Sequence, residues 1–330
     1  MTDYTFSSVY VRTIEKWLLD ETDIQRMVGA KDAKEALRVL EDTNYAKEFK
    51  GLILKIDPKD YRKILKEDLR VAKKLLYCLV DDKNLIKLCL LSFDFHNLKL
   101  FFKEKLFGIS LSEFVSSHGS QDPKELKKEV FEKRGKIDEE FKKAIKRANE
   151  AFEKKKEPFF IDTFLDKEKF KISLILAKKL KSDWIIDFFK RKIDLLNLAN
   201  IIRLYHLKKI EKIKDVLIEG GKINWDLKVL AKCGDIKDVI FSFKKEFDLK
   251  VQKILNNFLE DKNLWKLMKK LKDLQTEYLK TSKFIISGPE VILAYFLGRE
   301  TANRNVRIIM EGKLYGLAPK EIQERVRIPF

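Results

Sequence analysis

The side chains able to do covalent chemistry are few and poorly spaced. The histidines are His96, His118 and His206, and none stands at ligand spacing from a cysteine or a second histidine, so no metal site is predicted. Cys89 and His96 could form a nucleophile–base pair. The Leu-Cys-Leu-Leu setting of Cys89, however, is that of a core thiol. Cys78, Cys89 and Cys233 make an odd number without a C-x-x-C pair, which predicts reduced thiols in the cytosol rather than a disulfide framework. Gly220-Gly221-Lys222 has part of a phosphate loop, but the upstream glycine is missing and Ile223 stands where a metal-binding hydroxyl belongs. No G-x-G-x-x-G or H-E-x-x-H occurs. Carboxylates are so common on the helix surfaces that pairs of them carry no signal. The expectation is no catalytic residue, no metal and no cofactor.

Charge points instead to binding. Lys and Arg number 70 against 52 Asp and Glu, a net charge of +18, and such a field favours an acidic partner. Nucleic acid, anionic lipid and an acidic protein surface all qualify. Most of the lysines alternate with glutamates and read as solvated helix faces. The aromatic residues fall at helix-core spacing rather than on strands as stacking platforms. No apolar run reaches the roughly 18 to 20 residues of a membrane span, and the N-terminus has no secretory leader pattern.

The elements that must position these residues read as helices. With 12 Gly and 6 Pro in 330 residues there are too few turn-formers for many short strands, and an all-α fold is predicted. Asp57-Pro58 and Asp122-Pro123 are start signals: a capping carboxylate, then proline at the first helical position. The spacing predicts one long charged helix over 124–155, weakened at Gly135 and reaching about 45 Å. A second long helix is expected from Leu249 to about Lys280. The clearest element is Ser287 to Gly316. Ser287 with Glu290 reads as a capping box, Pro289 falls in the first turn, and Gly316 reads as the stop. Val291, Tyr295, Gly298, Ala302, Asn305, Ile309 and Gly312 share one narrow face of it.

That helix is one of about three copies. Asn305, Arg307, Lys313 and Gly316 match Asn97, Lys99, Lys105 and Gly108. Asp194, Asn197 and Arg203 match Asp94, Asn97 and Lys103. A fainter likeness joins Ile24–Leu40 to Leu227–Phe243, including Asp32 with Asp235. The period of roughly 100 residues predicts three pseudo-symmetric helical domains at 1–110, 111–212 and 213–330. Asn97, Asn197 and Asn305, each on an apolar face, read as structural amides that tie a helix to a neighbour. The polar flank, Lys99, Lys103, Arg203, Arg299, Arg304, Arg307 and Lys313, reads as partner-contacting.

The sequence resembles a known family over essentially its whole length. Gly288-Pro289-Glu290, Ala294-Tyr295-Phe296-Leu297 and the run Arg304-Asn305-Val306-Arg307-Ile308-Ile309 to Gly312-Lys313 are similar to the C-terminal signature of the V/A-type ATPase protein called C. Its eukaryotic counterpart is called d. Tyr10-Val11-Arg12, Leu18-Leu19 and Leu40 with Thr43-Asn44-Tyr45 agree at the N-terminus. Ala199 and Glu311 depart from the basic pattern of the first copy, so a ring of identical contacts is not required. The resemblance implies three helical domains arranged as a funnel or socket. It implies a non-catalytic rotor part that receives the central-stalk subunits D and F on one face and sits on the membrane rotor ring with the other. The expected place is the cytoplasmic side, peripheral on the inner face of the plasma membrane, coupling ATP turnover to proton or sodium transport. The alternative is a basic helical-repeat nucleic-acid binder, which the net charge allows and no recognisable module supports.

Overall fold

The computed structural model describes residues 3–155 and 158–330. Helix makes up 77% of it and no strand occurs among the described residues, so the all-α expectation holds. The helices are α1 (Thr5–Ile14), α2 (Glu21–Gly29), α3 (Ala33–Glu41), α4 (Lys50–Ile53), α5 (Arg62–Leu79), α6 (Lys83–Phe107), α7 (Pro123–Glu132), α8 (Glu139–Lys155) and α9 (Pro158–Lys179). They continue with α10 (Asp183–His206), α11 (Ile213–Val216), α12 (Leu227–Lys232), α13 (Ile236–Phe243), α14 (Leu249–Asp261), α15 (Leu264–Lys280), α16 (Pro289–Leu314) and α17 (Pro319–Arg325). The chain forms two compact units, Met1–Ile86 with Lys272–Phe330, and Lys87–Leu271.

In the first unit α1, α3 and α5 pack on α16, and α17 packs on α2. Helix α16 is buried on most sides, wider than the narrow face its spacing suggests: Ile292, Leu293, Phe296, Val306 and Met310 are buried along with the predicted positions. A helix apolar around most of its circumference belongs inside a bundle. Its small residues have specific neighbours. A Cβ on Gly298 would stand 2.6 Å from the Phe330 ring, and one on Gly312 would stand 2.6 Å from Ile322 of α17, so the C-terminal segment folds back against α16 only because both positions are glycine. The stop is as predicted: Gly316 is left-handed (φ +69°) and the Leu317 N–H reaches the Gly312 carbonyl at 2.9 Å, closing a Schellman-type turn. The start differs. Gly288, not Ser287, is the capping residue, and Ser287 is turned toward Ser8, whose Oγ also accepts the Gly288 N–H at 3.1 Å.

In the second unit α9 packs against α8 and α10, and α10 also touches α11 and α13. Phe95 of α6 meets Phe141 of α8 with ring centres 5.8 Å apart. Two expected long helices are each broken here. The helix over 124–155 is instead α7 and α8, because Lys133 turns left-handed and Gly135 presses onto α7, where a Cβ would lie 2.2 Å from the Glu125 carbonyl. Glu129 and Glu125 accept the N–H groups of Gly135 and Lys136, each at 2.8 Å, and hold the reversal. The helix over 249–280 breaks at Lys262, also left-handed, and Asn263 caps the new start by accepting the Lys266 N–H at 3.0 Å. In both places a short side chain–backbone network offsets the lost helical hydrogen bonds, which a helix-period pattern does not register.

Candidate functional site

The three repeat asparagines do the same thing. Asn97 on α6 donates through Nδ2 to the Ser116 carbonyl and accepts the Ser116 N–H through Oδ1, both at 2.8 Å. Asn197 on α10 makes the same pair of bonds with Ile218, both at 2.8 Å. Asn305 on α16 makes it with Arg327, at 3.0 and 2.8 Å. All three asparagines are 0% exposed. A primary amide matches a peptide group donor for acceptor, so one side chain clamps an irregular strand of backbone without leaving a polar atom unpaired. Each long helix thereby fixes the segment that follows it.

A second clasp accompanies the first in two copies. Asp94 accepts the N–H groups of Ser120 and Gln121 at 2.9 and 3.0 Å, and Asp194 accepts those of Lys222 and Ile223 at 2.8 and 3.2 Å. The register is identical, four and five residues beyond the clasped Ser116 and Ile218. In both loops the residue just before these donors is glycine. A Cβ on Gly119 would lie 2.1 Å from Asp94 Oδ1, and one on Gly221 2.0 Å from Asp194 Oδ1. The Gly220-Gly221 pair that resembled part of a phosphate loop is this turn, folded onto the protein's own carboxylate. Burial raises the Asp194 carboxyl above its ordinary value, outweighing the two N–H groups that favour the anion. The third copy has Ala302 at the aspartate position.

A third equivalence lies one helical stretch further on. Lys105 donates to the Val130 carbonyl at 2.8 Å, Tyr205 to the Leu230 carbonyl at 2.7 Å, and Lys313 to the Ala30 carbonyl. Each accepting carbonyl lies near the C-terminus of a short helix, α7, α12 or α2, where backbone oxygens lack helical partners. Burial pushes the Tyr205 hydroxyl up to about 12, and it lowers the Lys313 ammonium from its ordinary value.

The predicted cationic flank is placed unevenly. Lys99 and Lys103 pair with Asp166 and Asp162 of α9 at 2.7 and 3.0 Å, so both are engaged within the second unit. Burial by itself would raise the Asp166 carboxyl, but Lys169 and Lys99 outweigh it and hold it below the usual value. Arg203, at the position equivalent to Lys103, is exposed, with Nη2 3.7 Å from the Met268 sulfur. Arg299 is 6% exposed: its Nε donates to Asp68 at 2.7 Å and its Nη1 to the Tyr295 hydroxyl at 3.0 Å. Asn303 completes Asp68 at 2.9 Å. The Asp68 charge, with the two tyrosines beside it, raises Arg299 further above its ordinary value than burial lowers it, and the residue holds α16 to α5 rather than offering a charge to solvent. Arg304 and Arg307 are exposed on α16, and Arg307 pairs with Glu311 at 3.0 Å. Lys313 is half-buried on its carbonyl.

Of the residues weighed for chemistry, Cys89 is 1% exposed in the core. His96 stands 3.1 Å from the Phe114 carbonyl. No group of three potential metal ligands occurs among the described residues. The roles of Asp68, Asp162 and Asp166, and the closeness of Gly119 and Gly221 to the clasping aspartates, are not evident from the sequence alone. The glycines could have been found by carrying the repeat alignment past the helix ends into the loops. No helix among the described residues is long and apolar enough to cross a membrane.

Comparison with known proteins finds similar sequences. A family model described as ATP synthase (C/AC39) subunit matches residues 8–325. The protein called C of the A-type ATP synthase from Methanocaldococcus jannaschii is 24% identical, over 97% of this chain and 85% of its own. Its namesake from Thermoplasma volcanium is 29% identical over 42% of this chain and 38% of its own.

Proposed function

The chain belongs to the ATP synthase (C/AC39) subunit family, and on that premise we propose that it is a non-catalytic rotor subunit that couples a central stalk to a membrane rotor ring. Subunits D and F of the stalk seat on one side of it, and ring subunits meet the other. Torque passes through it between ATP turnover and proton or sodium transport. Its place is then peripheral, at the cytoplasmic face of the plasma membrane, held there by the ring. The observation that carries this reading is the clasp repeated at Asn97, Asn197 and Asn305. A part that transmits torque must not yield, and each clasp fixes a following segment to a long helix by two hydrogen bonds. Three such copies, as three pseudo-symmetric helical domains around a socket, suit an adaptor between a single stalk and a many-fold ring.

Arg203, Arg304 and Arg307, exposed on the long helices, are the predicted cations best placed for partner contact. An interface of charged contacts associates fast and loosens with salt. The test is a pull-down of the purified chain with a D–F stalk pair at low and at high salt. Capture at low salt that weakens as salt rises is the expected result. No capture at low salt would end the socket reading, and tight binding to generic RNA in its place would favour the nucleic-acid alternative.

A further inference from the structure

The second unit carries an open groove of about 700 Å³ to which nothing above assigns a role. Its floor is apolar, formed by Ile210, Ile236, Phe258 and Leu259. Three exposed lysines stand around it: Lys208 just past α10, Lys237 in the first turn of α13, and Lys262 just past α14. His206, also exposed, adds a fourth basic group. None of the three lysines has an acidic partner among the described residues. The acids at the rim are Glu211 and Asp235, and Asp235 is occupied, accepting the Asp238 N–H at 3.0 Å as the cap of α13.

Each lysine stands where local preference would put something else. Lys208 and Lys262 adopt φ of +54° and +49°, positions after a helix end that favour glycine. Lys237 puts a cation at a helix N-terminus, the end that favours an anion. Left-handed lysines also end helices at Lys133 and Lys181, away from the groove, so the signal is the convergence: three elements bring three cations to one apolar floor.

We propose that this groove docks an acidic amphipathic helix of another subunit in the same assembly, a proposal that rests on the function argued above. The apolar floor takes that helix's hydrophobic ridge, and Lys208, Lys237 and Lys262 pair with carboxylates beside the ridge. A helix is the form that fits: the surrounding elements are helix ends, no sheet edge is present among the described residues to pair with an extended peptide, and a helix satisfies its own backbone.

The experiment uses the full chain and an ATP synthase complex stripped of this subunit. Wild-type chain is added back and treated with a zero-length carbodiimide, which joins amines to carboxylates, and the linked peptides are sequenced. Crosslinks from Lys208, Lys237 or Lys262 to Asp or Glu on one helical segment are expected. In parallel, the triple variant K208E/K237E/K262E and the floor variant I236D should rebind at least tenfold more weakly. The exposed control K59E/K63E/K66E, in the other unit, should rebind within twofold of wild type. All variants are first checked for unchanged helicity and melting. If wild type rebinds but both groove variants match it, or if crosslinks form elsewhere and never from the groove, the groove proposal falls and the assembly reading stands. If wild type does not rebind, the assembly reading itself falls.

Discussion

Asn97 and Ser116 hold each other by two hydrogen bonds of 2.8 Å, one in each direction, with the asparagine fully buried. The same exchange joins Asn197 to Ile218 and Asn305 to Arg327, 21 and 22 residues apart in the chain. Recurrence at the same helix position with the same geometry marks a structural device rather than a contact site. The amides are inaccessible, so what they supply is rigidity.

Replacing any one of them by alanine leaves a backbone N–H and carbonyl without their partners, buried at Ile218 and half-buried at Ser116 and Arg327. Each substitution should cost about 2–4 kcal/mol, from two lost bonds and their desolvation. Asn97→Asp should cost at least as much as Asn97→Ala, because it turns a carboxylate toward the Ser116 carbonyl. Urea titration of the single variants measures this. N197A and N305A should be additive, since they share no partner.

The two turn glycines are expected to be as intolerant as the clasps. Gly119→Ala and Gly221→Ala would drive a methyl group into Asp94 and Asp194. Each should lower stability by about 1–3 kcal/mol, the range for overpacking a tight site. Gly51→Ala is the control: it lies in α4 with nothing within 4 Å of the added carbon, and it should be neutral or stabilising by about 0.5–1 kcal/mol. Thermal melts of the three variants separate the cases.

The fold class was legible in residue types and spacing, and so was the recurrence of aspartate and asparagine along the long helices. Apolar periodicity and capping residues are local and survive in any helical context. The breaks at Lys133 and Lys262 were not legible, because both residues are good helix formers and the reversals depend on Glu125, Glu129 and Asn263 reaching backbone groups. Arg299 was misleading for a related reason. An arginine on a helix reads as solvated unless its acid is known, and Asp68 lies 231 residues away in the chain. Lys99 and Lys103 follow the same logic, their acids lying on α9.

Arg299 and Asp68 form a buried pair, with side chains 8% and 0% exposed. Removing one partner strands the other. Arg299→Ala or Asp68→Ala should each cost about 3–5 kcal/mol, while the double replacement R299M/D68L should recover much of the loss. Denaturant unfolding of the two single variants and of R299M/D68L tests this: a replacement pair no more stable than either single would contradict it.

Asp166 sets a sign for the acid limb. Its carboxyl is held below the ordinary value of 3.8 in the folded chain, so the unfolded chain binds its proton first as pH falls. Its contribution is fully present above about pH 4 and is lost as pH drops through the lower folded-state value. Asp166→Asn should therefore be less stable than wild type at neutral pH, and the gap should narrow in acid below that point. Stability measured from pH 7 down to pH 3 tests it; a gap that widens in acid would contradict the assignment.

The most direct measurement of the adaptor role is coupling in a rebuilt enzyme. An ATP synthase complex in sealed vesicles is stripped of this subunit, and ATP hydrolysis and ion pumping are followed together before and after the purified chain is restored. The expected result is that the stripped complex still hydrolyses ATP but does not pump, and that pumping returns with the chain. Pumping that persists without the chain, or that fails to change when it is restored, would contradict the account.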